Sequence, residues 1–156
     1  MNKLIIWWSY GVELVASGLI LLLVCMWLSS EEVVSFFRVA ALDIATLFGG
    51  VMLAGALAFL WTFFSKADTP FYRWLDEKGA FKVYLAATSY TVAVSFLSTA
   101  SLVVTKYVQN SYVTLASVFL LLLAIINLYT LVINVGGLMQ LNTLFMRSEN
   151  TKNRSQ

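Results

Sequence analysis

One carboxyl group lies inside a long apolar segment near the start of the chain. Glu13 is the only charged residue between positions 4 and 28. A charged side chain in hydrocarbon costs at least ~2.5 kcal/mol, so we expect Glu13 to be protonated and to face protein or water. Two kinds of chemistry suit such a group. It can hydrogen-bond and so fix how helices pack, or it can bind a proton or an ion.

The depth of Glu13 along its helix indicates which residues could meet it. Polar or small residues at a similar depth in the other apolar segments are Gly55, Tyr90, Thr91 and Asn127. We predict an intramembrane polar layer of Glu13, Tyr90, Asn127 and Asn134, in which Glu13 hydrogen-bonds to Asn127 and to the Tyr90 hydroxyl. Gly55 would leave space beside this layer.

A second set of polar and small residues continues along the last apolar segment. Spacings of three or four residues place Asn127, Thr130, Asn134 and Gly137 on one face of a helix. This face predicts hydrogen bonds between helices, either within one chain or between copies of it. The alternative interpretation is that the face lines a pore in an oligomer.

The composition indicates which elements position these side chains. Apolar residues make up 60% of the chain and charged residues 12%, whereas charged residues are about 25% of a soluble domain. About 20 apolar helical residues cross the ~30 Å hydrocarbon layer. Four segments are long enough, namely residues 4–28, 39–64, 81–105 and 112–145. We predict an all-α integral membrane protein with four transmembrane helices in one domain, 1–146, and a flexible tail, 147–156.

The fourth segment is longer than a membrane requires. Its roughly 34 residues would extend ~51 Å as a straight helix. Either the helix projects from the membrane on the cytoplasmic side, or it bends at Gly136 and Gly137. We favour projection, because polar residues interrupt the apolar pattern from Gln140 onward.

Basic residues are distributed unevenly between the two ends of these segments. One side has Lys3, Lys66, Arg73, Lys78, Lys82, Arg147, Lys152 and Arg154, whereas the other has Arg38 and Lys106. Lysine and arginine are enriched on the cytoplasmic side of membrane proteins. We therefore predict that both termini, and the loop between the second and third helices, are cytoplasmic.

The predicted cytoplasmic loop contains the signals of a short helix. Asp68 or Thr69 can cap its start, because their side chains accept backbone hydrogen bonds. Pro70 suits the first helical position, and Gly79 suits the residue after the helix ends. The loop therefore predicts an amphipathic helix that lies on the cytoplasmic leaflet.

This helix and the start of the tail could contact either lipid or a cytosolic protein. Phe71 and Trp74 share one face by their spacing, and Arg73 lies toward the other. Simple attachment to the membrane surface is one interpretation, and docking of a partner is the other. The residues that we predict for this surface are Phe71, Arg73, Trp74, Lys78 and Arg147.

Small residues in the second segment predict close contact between helices. Gly50, Ala54 and Ala58 recur every four residues, and Gly55 adjoins them. Ala45 and Gly49 form the same pattern one position away.

The sequence offers no pattern for catalysis. It has no histidine and one cysteine, Cys25, which excludes histidine-based triads and an internal disulfide. Glu13 and Asp43 differ in depth by roughly 18 Å, too far for a pair of catalytic carboxyls. We predict no enzyme activity, no metal and no cofactor. A net charge of +2 is also too small to indicate direct binding of nucleic acid.

The middle of the chain, from about residue 41 to 104, has a recognisable order of parts. A small-residue-rich span ends Leu-Ala-Gly-Ala-Leu-Ala-Phe-Leu at 53–60, then come a basic aromatic loop with Gly79 and a hydroxyl-rich span. This order resembles the small four-helix membrane subunits of phage-exclusion and antiphage systems, such as the phage lambda Rex and Kiwa systems. The resemblance implies a bacterial inner-membrane protein that forms a homo-oligomer and binds a cytosolic effector. It implies no role for any single residue.

These observations favour a non-enzymatic sensor or anchor subunit that recruits a cytosolic partner, in antiphage defence. Two alternatives remain open at this point. One is an oligomeric ion-permeable channel or holin-like pore, and the other is a structural assembly subunit of a larger membrane complex. In each case membrane lipid surrounds the protein.

Overall fold

The computed structural model describes the backbone of residues 3–154 and the side chains of residues 10–149 and 151. Within this part of the chain there are helices and short turns and no strand. The helices are α1 (Lys3–Leu28), α2 (Ser30–Phe48), α3 (Ala54–Lys66), α4 (Pro70–Glu77), α5 (Phe81–Tyr107) and α6 (Ser111–Arg154). A five-residue π-helical segment, Gly49–Leu53, joins α2 to α3, so that Ser30–Lys66 is one continuous helix.

Four helices are long and apolar enough to cross a membrane, which confirms the four predicted segments. Their qualifying ranges are Tyr10–Leu28, Ser30–Lys66, Phe81–Tyr107 and Ser111–Glu149. α5 and α6 share the most extensive interface, with α2 packed on α5 and α1 packed on α6. The connection at Ser29 and that at residues 108–110 lie at one end of the bundle, hereafter the Ser29 end. α4 lies at the other, hereafter the α4 end.

A single residue, Ser29, makes the turn between α1 and α2. Its φ of 54° lies in the left-handed region, and its Oγ accepts a hydrogen bond from the Glu32 backbone N–H at 3.4 Å. The Ser29 hydroxyl also donates to the Glu32 carboxylate at 3.3 Å. This cap allows α2 to begin at once, so the second segment starts nine residues before the predicted position 39.

Hydroxyl groups connect α5 and α6 near the Ser29 end. Thr105 Oγ1 donates to Ser117 Oγ at 2.7 Å, and the Ser117 hydroxyl lies 3.0 Å from the Ser101 carbonyl oxygen. Other hydroxyls of α5, such as that of Thr88, donate to the carbonyl one turn earlier. Bonding of this kind satisfies hydroxyls inside an apolar bundle without a partner helix.

The small-residue contact lies one position away from the predicted stripe. Gly50, Ala54, Gly55 and Ala58 are all exposed on the outer surface of the bundle, so this prediction was wrong for packing within the chain. The buried small residues are Ala41 and Ala45, followed by Gly49, which lies against Thr99 of α5. In a membrane helix every face is apolar, so periodicity does not show which face meets protein.

α6 is one unbroken helix of 44 residues that passes straight through Gly136 and Gly137. α5 has 27 residues, and the difference in length corresponds to about 26 Å of helix. The structure therefore shows no break at Gly136 and Gly137, and α6 exceeds the length of α5 by this distance. The tail predicted to be flexible is helical as far as Arg154, because no glycine or proline follows Gly137 to end the helix. Residues 155–156 lie outside the described residues.

The predicted short helix, α4, is present with the expected start and stop residues. Thr69 has extended backbone before Pro70, but its hydroxyl donates to the Lys66 carbonyl at 2.8 Å and does not cap the helix. Gly79 has a φ of +70°, and its N–H donates to the Asp76 carbonyl at 2.7 Å. The next N–H, of Ala80, reaches the Leu75 carbonyl, which completes a glycine-dependent helix end.

The apolar face of α4 packs on the bundle itself. Phe63, Phe71, Tyr72, Leu75 and Leu138 form one buried cluster that joins α3, α4 and α6. Phe71 is only 7% exposed, because its ring packs in this cluster, so it offers little surface to lipid or to a partner. An amphipathic pattern shows that one face is buried, but it does not show what covers that face.

Candidate functional site

Glu13 is the one charged side chain among the buried polar residues of the described structure. It is 6% exposed, and α1 places it toward the other helices. Its Oε2 atom is fully buried and has no hydrogen-bond partner among the described atoms. One turn further along, Ser17 donates to the Glu13 backbone carbonyl at 2.7 Å, which leaves the carboxyl free. An unpaired buried polar atom is costly, so this carboxyl is a candidate for a functional group.

Two tyrosines surround the carboxyl. The rings of Tyr10 and Tyr90 lie 4.4 Å apart between centroids, at 54° to one another. Glu13 lies near both phenol groups. Sequence reasoning missed Tyr10, although its position three residues before Glu13 on one helix was a usable signal.

Asn127 completes this layer from α6. It is 3% exposed, it faces the Tyr90 hydroxyl, and its amide donates to the Leu123 carbonyl at 3.1 Å. The structure thus brings together Glu13, Tyr90 and Asn127, the residues predicted to share one depth. We call Tyr10, Glu13, Tyr90 and Asn127 the polar layer.

Two other residues predicted near the layer lie elsewhere. Gly55 is exposed, and open space surrounds the position that its Cβ would take. Asn134 is half-buried on α6, seven residues or ~10 Å from Asn127 along the helix. Among the described residues, Glu13 makes neither of its predicted hydrogen bonds, to Asn127 or to the Tyr90 hydroxyl, because the Asn127 amide donates to Leu123 instead. Its Oε2 atom has no partner, so the layer can accept a donor or hold a proton there.

A cleft at the α4 end is the second candidate site. It has a volume of about 570 Å³ and opens between α3, the start of α4 and α6. Most of its lining is apolar, with Lys66 and Glu149 as its charged residues.

The surface predicted for lipid or a partner is assembled around this end. Arg73, Lys78 and Arg147 are exposed. Trp74 is half-buried, because its ring stacks on Phe71 and meets Phe145 of α6 at 5.5 Å between centroids. α4 and the extension of α6 therefore form one continuous surface, which we call the α4 surface.

The chemistry available at these sites is limited. Among the residues that the structure describes, no three histidine, cysteine or acidic side chains come together as a metal site would need. Cys25 is half-buried and unpaired. The polar layer suits hydrogen bonding and proton binding, whereas the cleft suits an elongated apolar ligand.

No protein-family model, no curated protein and no solved structure matches the chain.

Proposed function

We propose that the protein is a non-enzymatic subunit of a bacterial inner membrane that recruits a cytosolic partner to its α4 surface. In this proposal both termini and α4 are cytoplasmic, as the placement of lysine and arginine predicts. The resemblance to membrane subunits of antiphage systems supports defence against phage as the setting. The polar layer would serve as a sensor element within the membrane.

The observation that carries the proposal is the asymmetry between the two ends. At the Ser29 end the connections are a single residue, Ser29, and residues 108–110. At the α4 end a separate helix packs on α6, which continues about 26 Å beyond the length of α5. A folded surface at one end of the bundle supports docking at that end.

The charge of the α4 surface supports a partner with acidic groups. Arg73 and Lys78 are exposed on α4, and Arg147 is exposed on α6. Exposed basic groups at an interface speed association and select partners of opposite charge. They also attract anionic lipid headgroups, so a test must separate the two.

The test is co-purification of the full-length protein in mild detergent from its native host, with mass spectrometry of bound proteins. Replacement of two basic residues, Arg73→Glu with Lys78→Glu, should remove a cytosolic protein that is present at fixed stoichiometry. Lys106→Glu, an exposed charge at the Ser29 end, is the matched control and should retain that protein. If the bound proteins are the same for all variants, or are all membrane proteins, the proposal is wrong, and an assembly subunit fits the second result.

A second candidate function, an oligomeric pore, is favoured by one observation. The Glu13 Oε2 atom is buried and unpaired, which is typical of groups that bind protons or ions in membranes. A pore predicts that expression depolarises cells and that Glu13→Gln changes the depolarisation. Recruitment of a partner predicts an unchanged membrane potential in uninfected cells for both proteins.

A further inference from the structure

We propose that the cleft at the α4 end binds one phospholipid, and that it prefers a headgroup with both a phosphate and a primary amine. Binding of a lipid in this cleft does not depend on which side of the membrane α4 occupies. It therefore goes beyond the proposed function.

The length of the cleft matches that of one extended phospholipid, which is the thickness of one leaflet. On α6 its lining runs from Val135 to Glu149, which are 14 residues or ~21 Å apart along the helix. A bilayer with its headgroups is about 40–45 Å thick, so one leaflet is about 20–22 Å. Exposed aromatic residues on α3, Trp61 and Phe64, place this part of the bundle at the boundary between hydrocarbon and headgroups.

The polarity of the cleft changes along its length, as the polarity of a lipid changes from its acyl chains to its headgroup. Phe59 and Val135 line one end, whereas Lys66 and Glu149, further along α3 and α6, line the other. Thr62 lies between them on α3, and Asn142 lies between them on α6. An acyl chain suits the apolar end, and a polar headgroup suits the other.

The volume favours a lipid chain over a protein segment. A helix about 11 Å across and ~21 Å long fills about 2,000 Å³, several times the volume of the cleft. The cleft, at about 570 Å³, lies within the usual range of about 300–1,000 Å³ for small-molecule sites. It also adjoins α3, whose exposed Trp61 is typical of a membrane boundary, where lipid is present at high concentration.

The charges of the cleft indicate which headgroup fits. Lys66 and Glu149 are exposed, and they are its one cationic and its one acidic residue. Lys66 can pair with the phosphate, and Glu149 can accept hydrogen bonds from a primary ammonium group. A lipid with an anionic headgroup would lose the second contact and meet repulsion from Glu149. A quaternary ammonium headgroup has no N–H to donate.

The test is native mass spectrometry of the full-length protein with phosphatidylethanolamine, phosphatidylcholine and phosphatidylglycerol offered at equal concentrations. We expect one phosphatidylethanolamine per chain, held about threefold to fivefold more strongly than the other two lipids, since exposed charge contacts are modest. Glu149→Gln should remove that preference, and Lys66→Gln should weaken all three lipids. Lys82→Gln, an exposed charge on α5 outside the cleft lining, is the matched control and should change neither the preference nor the binding of the three lipids.

A blocking variant separates the cleft from the rest of the lipid-facing surface. Met139 is 67% exposed in the lining, so Met139→Trp should fill the cleft without disturbing the buried cluster. Loss of the bound lipid in Met139→Trp, with an unchanged melting temperature, is the expected result. Retention of lipid by this variant would overturn the proposal. So would equal binding of the three lipids by the unchanged protein, or a second copy of the chain in place of lipid.

Discussion

The backbone of Gly49 lies directly against the side chain of Thr99. A Cβ atom on residue 49 would come 2.5 Å from Thr99 Cγ2 and 3.0 Å from its Oγ1. The Cβ atom of Thr99 carries a methyl group, a hydroxyl group and one hydrogen at its three staggered positions, and two of these positions face Gly49. Because the hydrogen can occupy only one of them, no rotation of the side chain relieves the contact. The Thr99 hydroxyl also donates to the Ser95 carbonyl at 2.9 Å, which holds the present rotamer.

Gly49→Ala should therefore destabilise the bundle. Overpacking of a close contact costs about 1–3 kcal/mol. The free energy of unfolding in mixed micelles, with increasing SDS, measures this cost. Gly50→Ala is the matched control, since nothing lies within 4 Å of its Cβ position, and it should leave stability equal or higher. Equal effects of the two substitutions would show that α2 and α5 are not in contact here.

The same contact shows what the sequence could and could not predict. Length and apolar content predicted four membrane-length helices, because a segment of about 20 apolar residues is typical of a transmembrane helix. Pro70 and Gly79 predicted the limits of α4, because each suits one backbone conformation. The second helix has two small-residue patterns one position apart, and the sequence did not show which of them meets α5. Lipid and protein are both apolar, so the contrast that marks a buried face in a soluble helix is absent.

The polar layer was predicted from depth alone and then needed correction. Equal depth brought Glu13, Tyr90 and Asn127 together, because four helices of one bundle share a common axis. The rotation of each helix about its own axis decides which atoms actually meet. Depth carries no information on rotation, and this is why the unpaired Oε2 of Glu13 was not predicted.

Tyr90 and Asn127 should be energetically coupled. Hydrogen bonds between helices in membranes are worth about 0.6 kcal/mol on average, with a maximum near 1.7 kcal/mol. A double-mutant cycle of Tyr90→Phe with Asn127→Leu should give a coupling energy within this range. A cycle of Tyr90→Phe with Asn134→Leu should give a coupling energy near zero, because Asn134 lies two turns away. Coupling of equal size in both cycles would contradict the described layer.

Stability at the α4 end should decrease at high pH because of Tyr72. Burial raises the pKa of the Tyr72 phenol above its usual value of 10.0. The folded protein therefore favours the neutral phenol, and this contribution to stability is present below pH ~10 and is lost as pH rises through the raised pKa. The melting temperature should therefore decrease at high pH. Tyr72→Phe keeps the ring in the buried cluster and should remove the part of this decrease that the Tyr72 phenol causes.

The control for this prediction is a tyrosine at the other end. Tyr112 is 83% exposed, so Tyr112→Phe should leave the decrease at high pH unchanged. Melting temperatures of the three proteins, compared between pH ~9 and ~11, make the test. The same decrease in Tyr72→Phe as in the unchanged protein would show that Tyr72 is not its source.

The orientation can be tested with single cysteines. Cys25 is the one native cysteine, so its replacement by alanine gives a background for labelling. Cysteine placed at Lys78 or Ser148 should react with a membrane-impermeant maleimide only after the cells are opened. Cysteine placed at Ser35 or Asn110 should react in intact cells, because these residues are exposed at the Ser29 end. The reverse pattern would place the α4 surface outside and exclude a cytosolic partner.

The central claim is that a cytosolic protein docks on the α4 surface. Photo-crosslinking in the native host tests it most directly, with a photoreactive residue placed at position 78 on α4, at 147 on α6, or at 106 as the control. The claim predicts that positions 78 and 147 capture the same cytosolic protein, and that position 106 does not. Crosslinks to other copies of the chain alone, or capture of the same protein from all three positions, would contradict it.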